Sequence, residues 1–273
     1  MRLYPAALPE QAHLSAPNAR VHARALALAL CASQGAIAAD HVRDIVADKW
    51  RYLKDSFSTA AISKSVVEVI TKADSGNVNF HKVVFTEVPH FTKSTSSAVP
   101  PDYRVTLTYV SIGGPFVGVL DELFANGFPT TQVYSLTYRS ILFLDTQSVT
   151  LSAQDAPQSF PMKNLKVFSP VAVAIAGSGD FEWRFQVAPH VQLMNFKDTY
   201  FHCNYGTVYP ASKINGKLQG DAQDLDCEQR NDNNVVTNHS TVSILQYYGI
   251  GITRAKMTTS STIEFNVEGV QID

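Results

Sequence analysis

Apolar and polar side chains alternate strictly along residues 180–187, which read DFEWRFQV. The apolar members of this run, which would share one face of a β-strand, are Phe181, Trp183, Phe185 and Val187. The same period of two returns in residues 104–109 and 262–268. Because such alternation is typical of antiparallel sheets, the sequence predicts extended segments that each have one buried and one solvated face.

One amphipathic helix is predicted ahead of these strands, over residues 40–57. Asp40 can cap its start, and charged residues occupy the positions between the apolar ones. The apolar residues recur at spacings of three and four, and they are Val42, Ile45, Val46, Trp50, Leu53 and Phe57. We expect this stripe, with its tryptophan, to pack on the sheet as part of the core.

The remaining chain is interpreted as about ten strands joined by turns. Residues 62–72 and 78–88 predict a hairpin around the turn at 73–77, and residues 164–176 predict a strand buried on both faces. Residues 116–128 are ambiguous, and a short helix is favoured there over a strand. The predicted fold is therefore mainly β, an antiparallel β-sandwich or partly closed barrel with an N-terminal amphipathic helix.

Composition supports a folded chain and removes one class of partner. Of 273 residues, 45% are hydrophobic and 17% are charged, which is far from the composition of disordered chains. Lys plus Arg number 22 and Asp plus Glu number 24, so no bulk positive field exists to attract nucleic acid or an anionic membrane. We expect no nucleic-acid partner, and membrane contact is not favoured.

The amino-terminal segment has the parts of a secretory signal peptide. An apolar run at residues 25–32 follows a basic flank, and small residues at Ala36 and Ala38 suit cleavage near Ala38 or Ala39. About twenty residues precede this run, so translation starting at Val21 would give a more usual length. The alternative is an Ala/Leu-rich helix of a soluble protein. We expect residues 1–39 to be a signal peptide with a long extension and residues 40–273 to be a single β-rich domain.

The chain has three cysteines, and their positions agree with export. Cys31 lies within the apolar run, so Cys203 and Cys227 would remain after cleavage and are expected to form a disulfide in an oxidising compartment. A metal pair or a catalytic thiol is the alternative, but no C-x-x-C motif supports either. The predicted location is secreted or periplasmic.

No motif for nucleotide binding or for a serine nucleophile is present, and the sequence indicates no cofactor. Zinc is not favoured, because the candidate histidines lack ligand spacing; they are His81, His90, His190, His202 and His239. Asp224, Asp226 and Glu228 alternate as calcium ligands can, although a solvated acidic loop over residues 221–234 is the simpler interpretation. Asn238 begins an N-x-S sequon on an expected surface segment, open to glycosylation if the host provides it.

The function predicted is that of an exported, non-enzymatic binding protein for an unknown ligand, glycan or envelope partner. Residues 92–101 and 221–234 are the candidate contact loops. One alternative is a membrane-acting β-pore-forming toxin, suggested by Ser/Thr-rich residues 92–97 and 258–262 beside alternating strands. The other is a hydrolase whose site would be assembled by the fold, with His202 meeting Asp198 or Asp226.

Overall fold

A computed structural model describes residues 40–93, 101–173, 176–257 and 261–273. In these residues twelve antiparallel strands form one sheet, which curls into a nearly closed barrel. The strands are β1 (Lys82–Lys93), β2 (Tyr103–Gly113), β3 (Phe116–Ala125), β4 (Phe128–Tyr138), β5 (Leu142–Thr150), β6 (Met162–Phe168), β7 (Asp180–Val187), β8 (Asp198–Pro210), β9 (Asp221–Asn231), β10 (Val236–Leu245), β11 (Ile250–Met257) and β12 (Thr262–Ile272). The prediction of a mainly β, partly closed barrel is confirmed.

Strands that follow one another in the chain are neighbours in the sheet, except that β5 and β6 lie at its opposite ends. The two halves of the sheet are joined at its centre by the first and the last strand. The order is β5-β4-β3-β2-β1-β12-β11-β10-β9-β8-β7-β6, so β1 pairs with β12, with Phe85 opposite Val270. The ends approach each other where the chain entering β6 reaches β5, through a 2.8 Å hydrogen bond from the Phe160 amide to the Thr146 carbonyl. This contact brings the sheet close to closure.

The aromatic residues of β7 alternate as the sequence predicts, but the predicted face ends at Phe185, since Gln186 is 8% exposed and Val187 is 36% exposed. Phe181, Trp183 and Phe185 lie on one face and are at most 5% exposed. The Trp183 ring stacks on Phe201 of β8 at a centroid distance of 5.2 Å, and its Nε1 donates a 2.7 Å hydrogen bond to the Ser169 carbonyl. Because the indole nitrogen is satisfied, the largest side chain of the core is buried without an unpaired donor.

Strand β3 is buried on both faces, which the expectation of one solvated face missed. Leu120 belongs to one apolar cluster and its neighbour Val119 to another, so the two clusters lie on opposite sides of β3. Every residue from Phe116 to Glu122 is buried. The predicted helix at 116–128 is wrong for this reason, since burial on both faces removes the period of two. Asn126 and Gly127 form the β3–β4 turn, with positive φ values of 51° and 80°.

The predicted single helix over residues 40–57 is divided into α1 (Val42–Ala47) and α2 (Lys49–Ser56). Asp48, between them, has φ −139° and ψ 66°, which is outside the helical region. Its carboxylate accepts a 3.1 Å hydrogen bond from the Arg51 amide and so caps α2. The break turns α2 across β3, where it contacts the sheet.

Other element predictions are corrected. Residues 62–72 are not a strand: α3 (Lys64–Ala73) buries Val66 and Ile70, which are four residues apart on one helical face. The predicted buried strand at 164–176 ends at Phe168, and residues 171–173 are irregular. Residues 221–234 are not a loop, because β9 occupies most of them and pairs with both β8 and β10.

A disulfide joins Cys203 of β8 to Cys227 of β9. The two residues stand directly opposite each other in the ladder, with a Cα–Cα distance of 4.1 Å, and both are fully buried. The pairing predicted from the sequence is present. The bond crosslinks two neighbouring strands inside the same apolar cluster as Trp183.

One buried ion pair connects α3 to two turns of the barrel. Arg139 Nε lies 2.6 Å from Asp74 Oδ2, and its Nη2 lies 2.9 Å from Asp74 Oδ1. Nη1 donates to the carbonyl of Gly249, between β10 and β11, and Nη2 donates to that of Gly76. Burial alone would raise the pKa of Asp74, but hydrogen bonds from Arg139 and Tyr138 bring it below its ordinary value. Both members of the pair are therefore charged.

Candidate functional site

An apolar groove of about 560 Å³ runs between α2 and the sheet. We call it the α2 groove. Helix α2 supplies one wall and β1, β2 and β3 supply the other. Its lining residues are Trp50, Leu53, Lys54, Lys82, Val110, Ser111, Ile112 and Gly118. The volume falls within the range of ordinary small-molecule sites.

The helical period of α2 and a glycine in β3 create this groove. Leu53 points to the sheet and is 4% exposed, whereas Trp50 lies at the rim and is 41% exposed. A Cβ at Gly118 would lie 3.1 Å from the Ile112 side chain and 3.7 Å from that of Leu53. The glycine therefore lets the Ile112 and Leu53 side chains approach the β3 backbone closely, and a larger residue would push them into the groove.

Lysines surround the exposed tryptophan, but they are not equivalent. Lys49 Nζ lies 2.8 Å and 2.9 Å from the two carboxylate oxygens of Glu122. Within the described chain, no carboxylate lies within ion-pair distance of Lys54 or Lys82. Lys82 Nζ is 5.3 Å from the centre of the Trp50 ring, close enough for a cation–π contact. The groove thus combines apolar walls with two uncompensated positive charges.

A second, smaller cavity of about 230 Å³ lies beside β5, and several polar side chains line it together with apolar ones. The Tyr52 hydroxyl lies 2.7 Å from Gln147 Oε1 and 3.0 Å from Asp40 Oδ2. The Gln147 amide in turn donates to the Pro157 carbonyl. Burial and the nearby Asp40 charge raise the pKa of Tyr52, so its hydroxyl stays protonated as a donor. The polar groups of this cavity largely satisfy one another.

Asp145 lies behind this β5 cavity and is 1% exposed. Ser159 Oγ donates to its Oδ2 at 3.3 Å, whereas Oδ1 has no hydrogen-bond partner among the described residues. Burial raises the pKa of Asp145 to about 7, although Ser159, the Thr146 amide and Lys163 each oppose the shift. This carboxyl group therefore changes charge close to neutral pH.

The histidine–carboxylate pairs in the structure are not the pairs that the hydrolase hypothesis predicted. His202 Nε2 lies 2.8 Å from Asp180, not from Asp198 or Asp226, and both members of this pair are largely exposed. Asp226 instead pairs with His239 at 2.7 Å. Asp198 accepts hydrogen bonds from Lys166 and Arg184, which lower its pKa to about 2. The predicted dyad is absent from the described residues, and the residues of these four ion pairs do not line either of the two cavities described above.

Of the candidate histidines, only His190 lines one of these two cavities, the one beside β5. Burial and the positive charge of Lys163 lower the pKa of His190. Searching the described residues finds no group of three or more His, Cys, Asp or Glu side chains arranged to hold a metal ion.

The residues predicted to bind calcium or to carry a glycan are paired or buried in the structure. Asp224 accepts hydrogen bonds from Tyr209 and Ser243. Glu228 pairs with Arg230 at 2.7 Å, so the proposed ligands of β9 already have separate partners. Asn238 lies in β10 and is only 5% exposed, so its side chain is not presented on the surface as the sequence suggested.

Other predicted features fall partly or wholly outside the described residues. These are the signal peptide at 1–39, most of the contact loop at 92–101, and part of the Ser/Thr-rich stretch at 258–262. In the described part of the chain, no helix has the length and apolar character needed to cross a membrane.

Sequence reasoning missed the α2 groove because it assigned Trp50 to the core. The helical stripe was correct, but Trp50 is at its margin and remains half exposed. The sequence contains two signals of this site. Lys49 and Lys54 lie on either side of Trp50, and Gly118 is an isolated glycine within an apolar run. Neither has a specific meaning until the fold places β2 and β3 under α2.

Comparison with known proteins gives few matches. No protein-family model and no curated protein matches the chain. Solved structures similar to it include the crystal structure of a beta-barrel-like protein of a domain of unknown function, DUF1849, from Brucella abortus. That structure aligns with 72% of this chain and 99% of its own length, at 8% sequence identity and a TM-score of 0.44.

Proposed function

We propose that this protein is an exported, non-enzymatic binding protein that takes an apolar ligand into the α2 groove. The observation that carries the proposal is the open 560 Å³ groove, with Leu53 and Ile112 in its lining and the half-exposed Trp50 at its rim. Apolar lining with a few polar groups is typical of small-molecule sites. An exposed indole beside an apolar floor would gain contact area when a ligand covers it.

The α2 groove is a better candidate than the cavity beside β5. The latter has less than half the volume, and hydrogen bonds among Tyr52, Gln147 and Asp40 already use many of its polar groups. The sequence left a ligand, a glycan and an envelope partner open. The apolar lining of the groove favours an apolar ligand over a glycan, since a glycan would need more hydrogen-bonding side chains than Ser111 and the two lysines offer.

Export is supported by the disulfide between Cys203 and Cys227. Such bonds persist in oxidising compartments and are uncommon in the cytosol of most organisms, which agrees with a secreted or periplasmic location. Intact mass of the protein purified from its native host tests this point. We expect a chain that begins near residue 39 and is lighter by one pair of hydrogens; a full-length reduced chain would contradict export.

Binding of N-phenyl-1-naphthylamine, a neutral apolar fluorophore, tests the groove directly. We expect Trp50→Ala to weaken this binding about fivefold, because the loss of one aromatic contact costs about 1 kcal/mol. Fluorescence titration gives the dissociation constants. Phe128→Ala is the matched control, since Phe128 is an exposed aromatic residue outside the groove and should leave the affinity unchanged.

A second variant, Gly118→Val, should reduce probe binding further by filling the groove floor. Circular dichroism and the urea midpoint of each variant show whether the fold is retained. If the wild-type protein does not bind the probe, or if Trp50→Ala and Phe128→Ala bind it equally to wild type, the α2 groove is not the binding site.

A further inference from the structure

The charges around the α2 groove restrict the chemistry of its ligand, and this step rests on the proposed function. Lys49 is neutralised by the carboxylate of Glu122 and does not line the groove. Lys54 and Lys82 line it, and the described residues place no carboxylate within ion-pair distance of either. The groove therefore combines an apolar floor with two lysines whose charges the described part of the protein does not neutralise.

The positions of these charges suit a ligand with one polar end. Lys54 comes from α2 and Lys82 from β1, so the two lysines belong to opposite walls of the groove, and both line it. Lys82 Nζ also lies over the Trp50 ring, 5.3 Å from its centre, which holds it at the rim and away from the floor. Leu53, Val110 and Ile112 are left to contact an apolar chain.

We propose that the α2 groove binds an anionic amphiphile of the fatty-acid class, with its carboxylate at Lys54 and Lys82 and its alkyl chain along the apolar floor. Lysine presents a compact point charge and suits a single small anionic group. The groove of about 560 Å³ suits a ligand with one alkyl chain better than the two chains of a phospholipid. Its size and charge therefore favour a monocarboxylate with a single alkyl chain.

Displacement of N-phenyl-1-naphthylamine by three amphiphiles of equal chain length tests this assignment. The competitors are dodecanoate and dodecyltrimethylammonium, each used below its critical micelle concentration, and dodecan-1-ol, used below its solubility limit. We expect dodecanoate to bind about tenfold more tightly than the other two at low salt, and to lose most of this advantage at high salt.

Two double variants separate the charge effect from the apolar one. Lys54→Gln/Lys82→Gln should weaken dodecanoate binding about tenfold and leave dodecan-1-ol unchanged. Lys64→Gln/Lys72→Gln on α3 is the matched control, because it makes the same change in net charge away from the groove. This control should bind all three competitors as the wild-type protein does.

Each failure has a distinct meaning. Equal affinity for dodecanoate and dodecan-1-ol, or an equal effect of the two double variants, overturns the fatty-acid assignment but leaves an apolar site in place. Absence of fluorophore binding overturns the proposed function itself. Sedimentation with phosphatidylglycerol vesicles that depends on Lys54 and Lys82, without dodecanoate binding, overturns the assignment in favour of a membrane surface.

Discussion

Arg139→Met is expected to destabilise the protein by about 3–5 kcal/mol, the range for breaking a buried ion pair from one side. The Arg139 side chain is 2% exposed and that of Asp74 is 11% exposed. Removal of the guanidinium would leave the Asp74 carboxylate buried without its main partner, and the Gly249 and Gly76 carbonyls would each lose a donor. The backbone at residue 139 has φ 48°, which costs arginine and methionine alike.

Urea denaturation followed by the fluorescence of buried Trp183 measures this loss. Asp74→Asn/Arg139→Met should recover part of it, because the neutral amide removes the unpaired charge. Arg51→Met serves as the control, since the Arg51–Asp55 pair is exposed and should contribute less than about 1 kcal/mol. Equal effects at residues 51 and 139 would mean that the buried pair contributes no special stability.

Asp145→Asn is expected to stabilise the protein at neutral and alkaline pH. The folded protein holds the pKa of Asp145 at about 7, whereas an unfolded chain ionises this group near its ordinary value of about 3.9. Between these values the folded state binds the extra proton, so the free energy of unfolding falls as pH rises from about 4 to 7. Above the folded pKa the full penalty of the buried carboxylate remains.

The side-chain amide introduced by this substitution would carry no such penalty and could still accept the hydrogen bond from Ser159. We expect a gain of about 2–4 kcal/mol near pH 8 and little difference near pH 4, measured by urea denaturation at both values. Asp198→Asn is the matched control, and it should change the free energy of unfolding in the opposite direction. Hydrogen bonds from Lys166 and Arg184 lower the pKa of Asp198, so this variant should be less stable than the wild-type protein near pH 8.

A gain at pH 8 that persists unchanged at pH 4 would indicate that titration of Asp145 is not its cause. A loss at pH 8 would indicate that the buried carboxylate has a partner that the amide cannot replace.

The sequence was sufficient for the parts of the fold that follow from local alternation. Strand β7 alternates between more exposed and buried residues as far as Phe185, so Phe181, Trp183 and Phe185 could be assigned to one face without any tertiary information. The disulfide could also be predicted, because removal of an amino-terminal signal segment would leave only Cys203 and Cys227. Both predictions depend on the sequence itself, the alternation within one strand and the number of cysteines, and not on how other elements pack.

Local patterns failed where tertiary packing decides the structure. Strand β3 is covered on both sides, so its sequence lacks the alternation that identified β7. In α3, Val66 and Ile70 have high strand propensity, yet packing against β6 stabilises a helix there. The α2 groove and the buried Asp145 could not be predicted, because their residues come from segments that meet only in the folded barrel.

The pairing of β1 with β12 has a consequence for biosynthesis. These strands are the first and last of the twelve, yet they stand side by side in the middle of the sheet order. During translation, the arm containing β1–β5 is complete long before β12 emerges, and its β1 edge has no partner until then. Final assembly must therefore wait for the last strand, because only β12 covers this edge of β1 and joins the two arms of the sheet.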